Sequence, residues 1–121
     1  MSMTRAVTSL APNPIRGQTI NWRLTSTPAY DGTETVTCAI KLAINGAMVP
    51  LESAAVVRSV TPSFVAAAGD IAAHWFFSIS AAQSADLVAA AYVTDARIVY
   101  SDGQVSQAPP LLINLEGRVT A

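Results

Sequence analysis

Apolar and polar side chains alternate with period two through most of the chain, most regularly over Tyr92 to Ser101. Tyr92, Thr94, Ala96, Ile98 and Tyr100 share one face of an extended segment, while Val93, Asp95, Arg97, Val99 and Ser101 share the other. The first set predicts the buried face. Asp102-Gly103 follows, supplying the positive-φ positions of a tight hairpin, and the return strand is expected from Gln104 to Gln107. Upstream, Ser80 is a good N-cap, and the residues after it predict a short helix near 81–89 with Leu87 and Val88 packing beneath it.

The same alternation marks the other strands. After Gly17, the positions Ile20, Trp22 and Leu24 alternate with Asn21, Arg23 and Thr25, which makes Trp22 a core anchor. Val36, Cys38, Ile40, Leu42 and Ile44 oppose Thr35, Thr37, Ala39, Lys41 and Ala43, and Asn45-Gly46 closes that strand as a hairpin returning over Ala47 to Leu51. From Ser53 to Ala68 the pattern weakens around Pro62, so two short strands or a strand and a loop fit equally. Ile71, Ala73, Trp75, Phe77 and Ile79 form a further inward face, leaving His74 and Phe76 outward, either exposed as candidates for an interface or on a sheet face partly covered by a loop. Ala108-Pro109-Pro110 bends the chain before a last strand, Leu111 to Leu115, expected at an edge. Residues 1–16, with a β-prone run at Arg5 to Leu10 and then Ala-Pro-Asn-Pro, read as an N-terminal arm that adds an edge strand, lies on a neighbouring subunit, or hangs free.

About seven to eight short strands with turns roughly every ten residues predict an all-β, immunoglobulin-like antiparallel β-sandwich over residues 17–121. In such sandwiches a tyrosine at the start of the penultimate strand is buried and bonds its hydroxyl to backbone a few residues upstream. Tyr92 stands at that position, although a half-buried strand tyrosine with a solvated hydroxyl fits the same pattern.

Composition narrows the function classes. With 121 residues the chain is one domain, and only 12% of them are charged, about half the usual fraction. The seven basic residues, Arg5, Arg16, Arg23, Lys41, Arg58, Arg97 and Arg118, are scattered, so no clustered footprint for nucleic acid or an anionic membrane exists. No apolar run approaches the length of about 18 residues that spans a bilayer, and the first residues lack a signal-peptide core. Synthesis in a cytoplasm, with the chain soluble until it assembles, is therefore expected.

Candidate chemistry is sparse. Cys38 is the only cysteine and His74 the only histidine, far apart in sequence, so neither a metal-ligand set nor a Cys-His pair is expected. Cys38 reads as a buried, inert thiol. No phosphate-cradling glycine loop and no GxSxG element occurs. The eight carboxylates fall mostly in turns or on polar faces, and Asp95 with Arg97 makes a surface pair worth about 0 to 1 kcal/mol. No catalytic residue, cofactor or metal is expected.

RGQTINWRL, TETVTCAIKLAI, SAAQSADLVAAAYVTDARIVYSDGQV and the closing GRVT together resemble a recurrent module of tailed-phage virions, the small immunoglobulin-like structural proteins, similar in part to the N-terminal domain of baseplate upper proteins. Gly17, Tyr92, Asp95, Asp102, Gly103, Val119 and Thr120 match its pattern, and Trp22 joins them as a fold-determining residue. A glycine commonly precedes the tyrosine, where this chain has Ala91; a positive φ there would strain it by roughly 1 kcal/mol or more. The resemblance implies a non-enzymatic tail, baseplate, fibre-attachment or capsid-decoration component. Its expected partners are other virion proteins and further copies of itself, and its expected place is the particle. A receptor- or carbohydrate-binding module of the adsorption apparatus is the alternative.

Overall fold

The computed structural model describes residues 4–9, 14–43 and 56–117. Its elements in chain order are β1 (Thr4–Ser9), β2 (Ile20–Thr27), β3 (Thr35–Leu42), β4 (Val56–Val60), β5 (Ser63–Val65), β6 (His74–Ile79), α1 (Ala81–Ala85), β7 (Ala90–Val99), β8 (Val105–Gln107) and β9 (Leu112–Leu115). One sheet runs β1-β2-β6-β5 and the other β4-β3-β7-β8, with β9 also paired to β7. The chain folds as an all-β sandwich of two antiparallel sheets and one short helix. Nine strands stand among the described residues, against the seven to eight expected.

Alternation in sequence becomes the core directly. Ile20, Trp22 and Leu24 from β2 meet Trp75, Phe77 and Ile79 from β6, and across the gap lie Val36, Cys38, Ile40, Tyr92, Ala96, Ile98 and Ile113. Burying each large apolar side chain stabilises the fold by about 1.5–3 kcal/mol. Trp22 is 1% exposed and stacks on Phe77, its cross-strand partner, with centroids 5.4 Å apart and planes within 2°.

The weak stretch around Pro62 resolves as two short strands, and they belong to different sheets. β4 pairs with β3 in one sheet and β5 with β6 in the other, so Thr61-Pro62 carries the chain across the sandwich. Thr4–Ser9 pairs along its whole length with β2, so this part of the expected arm is an edge strand of its own sheet. The adjoining Ile15 bridges to Glu116.

Three expectations about packing are corrected. The helix ends at Ala85 rather than near 89, with Asp86 as its C-cap, because β7 begins already at Ala90. Leu87 is buried, but Val88 is 67% exposed: its carbonyl turns in to Tyr92 and its side chain turns out. Ile71 is exposed too, because Ala68 and Ile71 exchange backbone bonds of 2.9 and 3.0 Å around Gly69-Asp70, a small hairpin that delays the strand until His74. The predicted Asn45-Gly46 hairpin, its return over Ala47 to Leu51, and the closing Val119-Thr120 lie outside the described residues.

Candidate functional site

Most groups that carry chemistry in this chain are engaged in holding the sandwich together. Tyr92 is 1% exposed and donates its hydroxyl to the Val88 carbonyl at 2.7 Å, the hydroxyl-to-backbone tie expected of an immunoglobulin-type corner. Ala91 just before it is an ordinary strand residue opposite Asn114, so the glycine of the resembling pattern is not required. Gly17, with φ of 90°, donates its N–H to Ser84 Oγ at 3.0 Å, and that hydroxyl in turn donates to the Gln18 carbonyl at 2.6 Å. Ser84 thereby fastens α1 to the loop before β2. At the other end Gly103, also at φ 90°, forms the hairpin turn; its N–H reaches the Tyr100 carbonyl at 2.9 Å, and Asp102 Oδ1 accepts the Gln104 N–H at 3.0 Å.

Asp95 does not pair with Arg97 as its nearest cation. Its carboxylate lies 2.7 Å from Lys41 Nζ on the neighbouring strand and accepts a second bond of 2.6 Å from Gln107 Nε2. The alternation correctly puts Lys41 on the outer face, yet its side chain is only 7% exposed where it reaches Asp95. Burial, the largest influence on Asp95, pushes its carboxyl upward; the bonds from Lys41 and Gln107 and the charges of Lys41 and Arg97 together outweigh it, leaving the group below the usual carboxylate range. Cys38 is 5% exposed, and burial with the nearby Asp95 charge pushes its thiol up to about 12.

Glu34 carries a role that its place in a turn-rich segment gave no reason to expect. It is buried, and its two carboxyl oxygens accept the Asp31 and Gly32 N–H groups, each at 3.2 Å, and the Trp75 indole N–H at 3.1 Å. Tyr30, in the loop between β2 and β3, is 3% exposed, so it presents no ring to solvent. Among the described residues no group of three or more His, Cys, Asp or Glu side chains could hold a metal ion, and no helix is long and apolar enough to cross a membrane.

What remains accessible are the outer faces of both sheets, with Thr35, Thr37 and Arg97 exposed on the five-stranded one, and the sheet edges. His74 and Phe76 do lie on the outer face of the four-stranded sheet, but His74 is 7% exposed, not open. The loop before it folds over the sheet, and His74 Nδ1 bonds the Ala72 carbonyl at 2.9 Å. Phe76 is half-buried beside Arg23. Next to them a groove of about 310 Å³ is lined by Thr8, Arg23, Thr25, Asp70, Ile71, Ala72 and His74. It offers one guanidinium and one carboxylate, so their charges cancel and select no ion. Leu42, Val56, Val57 and Val88 are exposed apolar residues at the opposite end of the sandwich, and Val65, Ile71 and Val105 at the end that holds the groove.

The edges differ in character. β4 has a register shift opposite Ile40/Lys41 and sets Arg58 opposite buried Ile40, on the inner row. β5 has three residues and follows Pro62, and β8 and β9 are separated by Pro109-Pro110. Bulges, prolines, short strands and inward charges are the usual devices that stop a sheet edge from pairing further. β1 is six residues long, pairs with β2 without a register shift and contains no proline. Compared with family models, with curated proteins and with solved structures, the chain matches none.

Proposed function

We propose that this chain is a non-enzymatic structural component of a tailed-phage virion, serving in the tail, baseplate, fibre attachment or capsid decoration through protein–protein contacts. One observation carries the reading: among the described residues the buried and half-buried ionisable groups Glu34, Lys41, Asp95 and His74 are committed to the scaffold, while the free surface consists of a low-charge exterior, scattered exposed apolar residues and a strand edge without proline or register shift. A surface so built docks; it does not turn over substrate. The phage setting rests on the motif resemblance around Tyr92, Asp95 and Asp102-Gly103. Other virion proteins and further copies of the chain are its partners, and the particle is its place after synthesis in the host cytoplasm.

The alternative, a receptor- or carbohydrate-binding module, has the groove beside His74 in its favour. Against it, sugars are held by stacking on exposed rings, and Tyr30 is buried. The deciding experiment is quantitative mass spectrometry of particles purified through a density gradient. The chain should co-purify at a fixed stoichiometry and resist a high-salt wash. Finding it only in the soluble fraction would defeat the structural reading, and glycan-array binding that Arg23→Ala abolishes would favour the alternative.

A further inference from the structure

We propose that β1 is a self-pairing edge, at which two copies of the chain join into one continuous eight-stranded sheet. The proposal rests on the docking role above and names its partner as a second copy. Of the four sheet edges formed by the described residues, three carry devices against pairing: the shifted register and inward Arg58 of β4, the brevity of β5 after Pro62, and the double proline between β8 and β9. β1 has no shifted register and no proline, its single inward charge is Arg5, and among the described residues nothing pairs with its free side. Its one charged residue, Arg5, is held by its own subunit, where Nη1 donates to Tyr100 Oη at 3.3 Å.

The sequence of β1 suits a copy of itself. A two-fold axis perpendicular to the sheet must set inner positions opposite inner ones, because side chains alternate with period two. With Val7 opposite Val7 of the second copy, Arg5 stands opposite Ser9 and Ala6 opposite Thr8. No like charges meet in this register. Val7 is half-buried against the core, so the second Val7 extends the inner apolar row rather than interrupting it. An isologous contact of this kind closes on itself and leaves no further edge of the same type. Five paired residues form a small interface beside the roughly 1,600 Å² of a standard one, so the dimer forms at high protein concentration, as in a particle.

The test uses the full chain and two double variants on the exposed outer row. Ala6→Lys/Thr8→Lys puts lysine opposite lysine twice across the axis, and Ala6→Glu/Thr8→Glu does the same with carboxylates; like charges directly opposite destabilise a strand pair. By light scattering up to about 1 mM, the unaltered chain should rise from 12.6 kDa toward twice that mass. Each variant should dissociate about tenfold more readily or worse, with an unchanged circular dichroism spectrum, and an equimolar mixture of the two should recover the dimer. A chain that stays monomeric throughout overturns the proposal, as do variants that dimerise like the parent or a mixture that stays monomeric. The virion reading is scored separately, by the presence of the chain in purified particles.

Discussion

The indole N–H of Trp75 donates to Glu34 Oε1 at 3.1 Å, joining a side chain of one sheet to the loop that leads into the other. The other Glu34 oxygen holds Asp31 N, so one carboxyl group fixes the loop and the inter-sheet spacing together. Glu34→Ala leaves three donors without this acceptor, and we expect a loss of about 2–4 kcal/mol in urea unfolding. Trp75→Phe removes a single donor and should cost about 1–2 kcal/mol. A double-mutant cycle that finds the two losses simply additive would show that the bond contributes no coupling.

Tyr92→Phe keeps the buried ring and deletes only the hydroxyl that reaches Val88. Its expected cost is about 1–2 kcal/mol, since it leaves the Val88 carbonyl without that donor. Tyr92→Ala also empties a core site and should cost about 3–5 kcal/mol. Equal stability of the Phe variant and the parent would mean that water replaces the hydroxyl freely.

Asp95 predicts an acid limb to the stability curve. Its carboxyl titrates below the ordinary range in the fold, so its contribution is full above the unfolded value of about 3.9 and is lost as pH falls through the lower folded value. Asp95→Asn should therefore be less stable than the parent by about 1–2 kcal/mol at neutral pH, and the gap should narrow below about pH 4. Chemical unfolding at a series of pH values measures this, and a gap that is constant with pH would refute it.

Two glycines with the same φ of 90° should respond differently to alanine. A Cβ on Gly32 would meet the Phe64 ring at 3.0 Å, whereas a Cβ on Gly103 would meet nothing within 4 Å. Gly103→Ala should cost only the backbone strain, about 1 kcal/mol, and Gly32→Ala about 2–3 kcal/mol. Thermal melts of the two variants side by side decide it.

Cys38 should be silent toward an aromatic disulfide reagent at pH 8 in the folded chain and react stoichiometrically once urea unfolds it. Burial and a thiol pushed up to about 12 both withhold the thiolate. Prompt reaction of the native protein would show that the β3 region opens readily.

The strands that bury one face were legible in sequence because period-two alternation survives wherever one side meets the core: Ile20 to Leu24, Val36 to Ile40 and Tyr92 to Ile98 are buried as their spacing requires. The Asp102-Gly103 turn and the Ser80 cap were legible because each needs a particular residue type at one position. Exposure on the second face was not legible. His74 and Lys41 lie on outer faces and are nevertheless covered, one by a loop from the same sheet, the other where it bonds Asp95 on the neighbouring strand. Such covering depends on contacts between residues distant in the chain, which alternation does not encode. Glu34 escaped notice for the same reason, since its indole partner lies 41 positions away.

β7 has β3 along one side and, along the other, β8 and then β9 in succession. Pro109-Pro110 opens a gap between these two partners, and Thr94 closes it by donating its N–H to the Leu111 carbonyl and accepting the Leu111 N–H on its hydroxyl at 2.8 Å. The pairings with β8 and β9 need only local loops, whereas β3 must find β7 across the whole intervening chain from residue 43 to 89, and distant pairings form late in folding. The segment from Ala90 to Leu115 is thus the piece that organises first and opens last. Its central amides, from Thr94 to Ile98, should exchange with deuterated solvent only when the whole molecule unfolds, while those of β5 and of the Gly69-Asp70 turn exchange through far smaller openings.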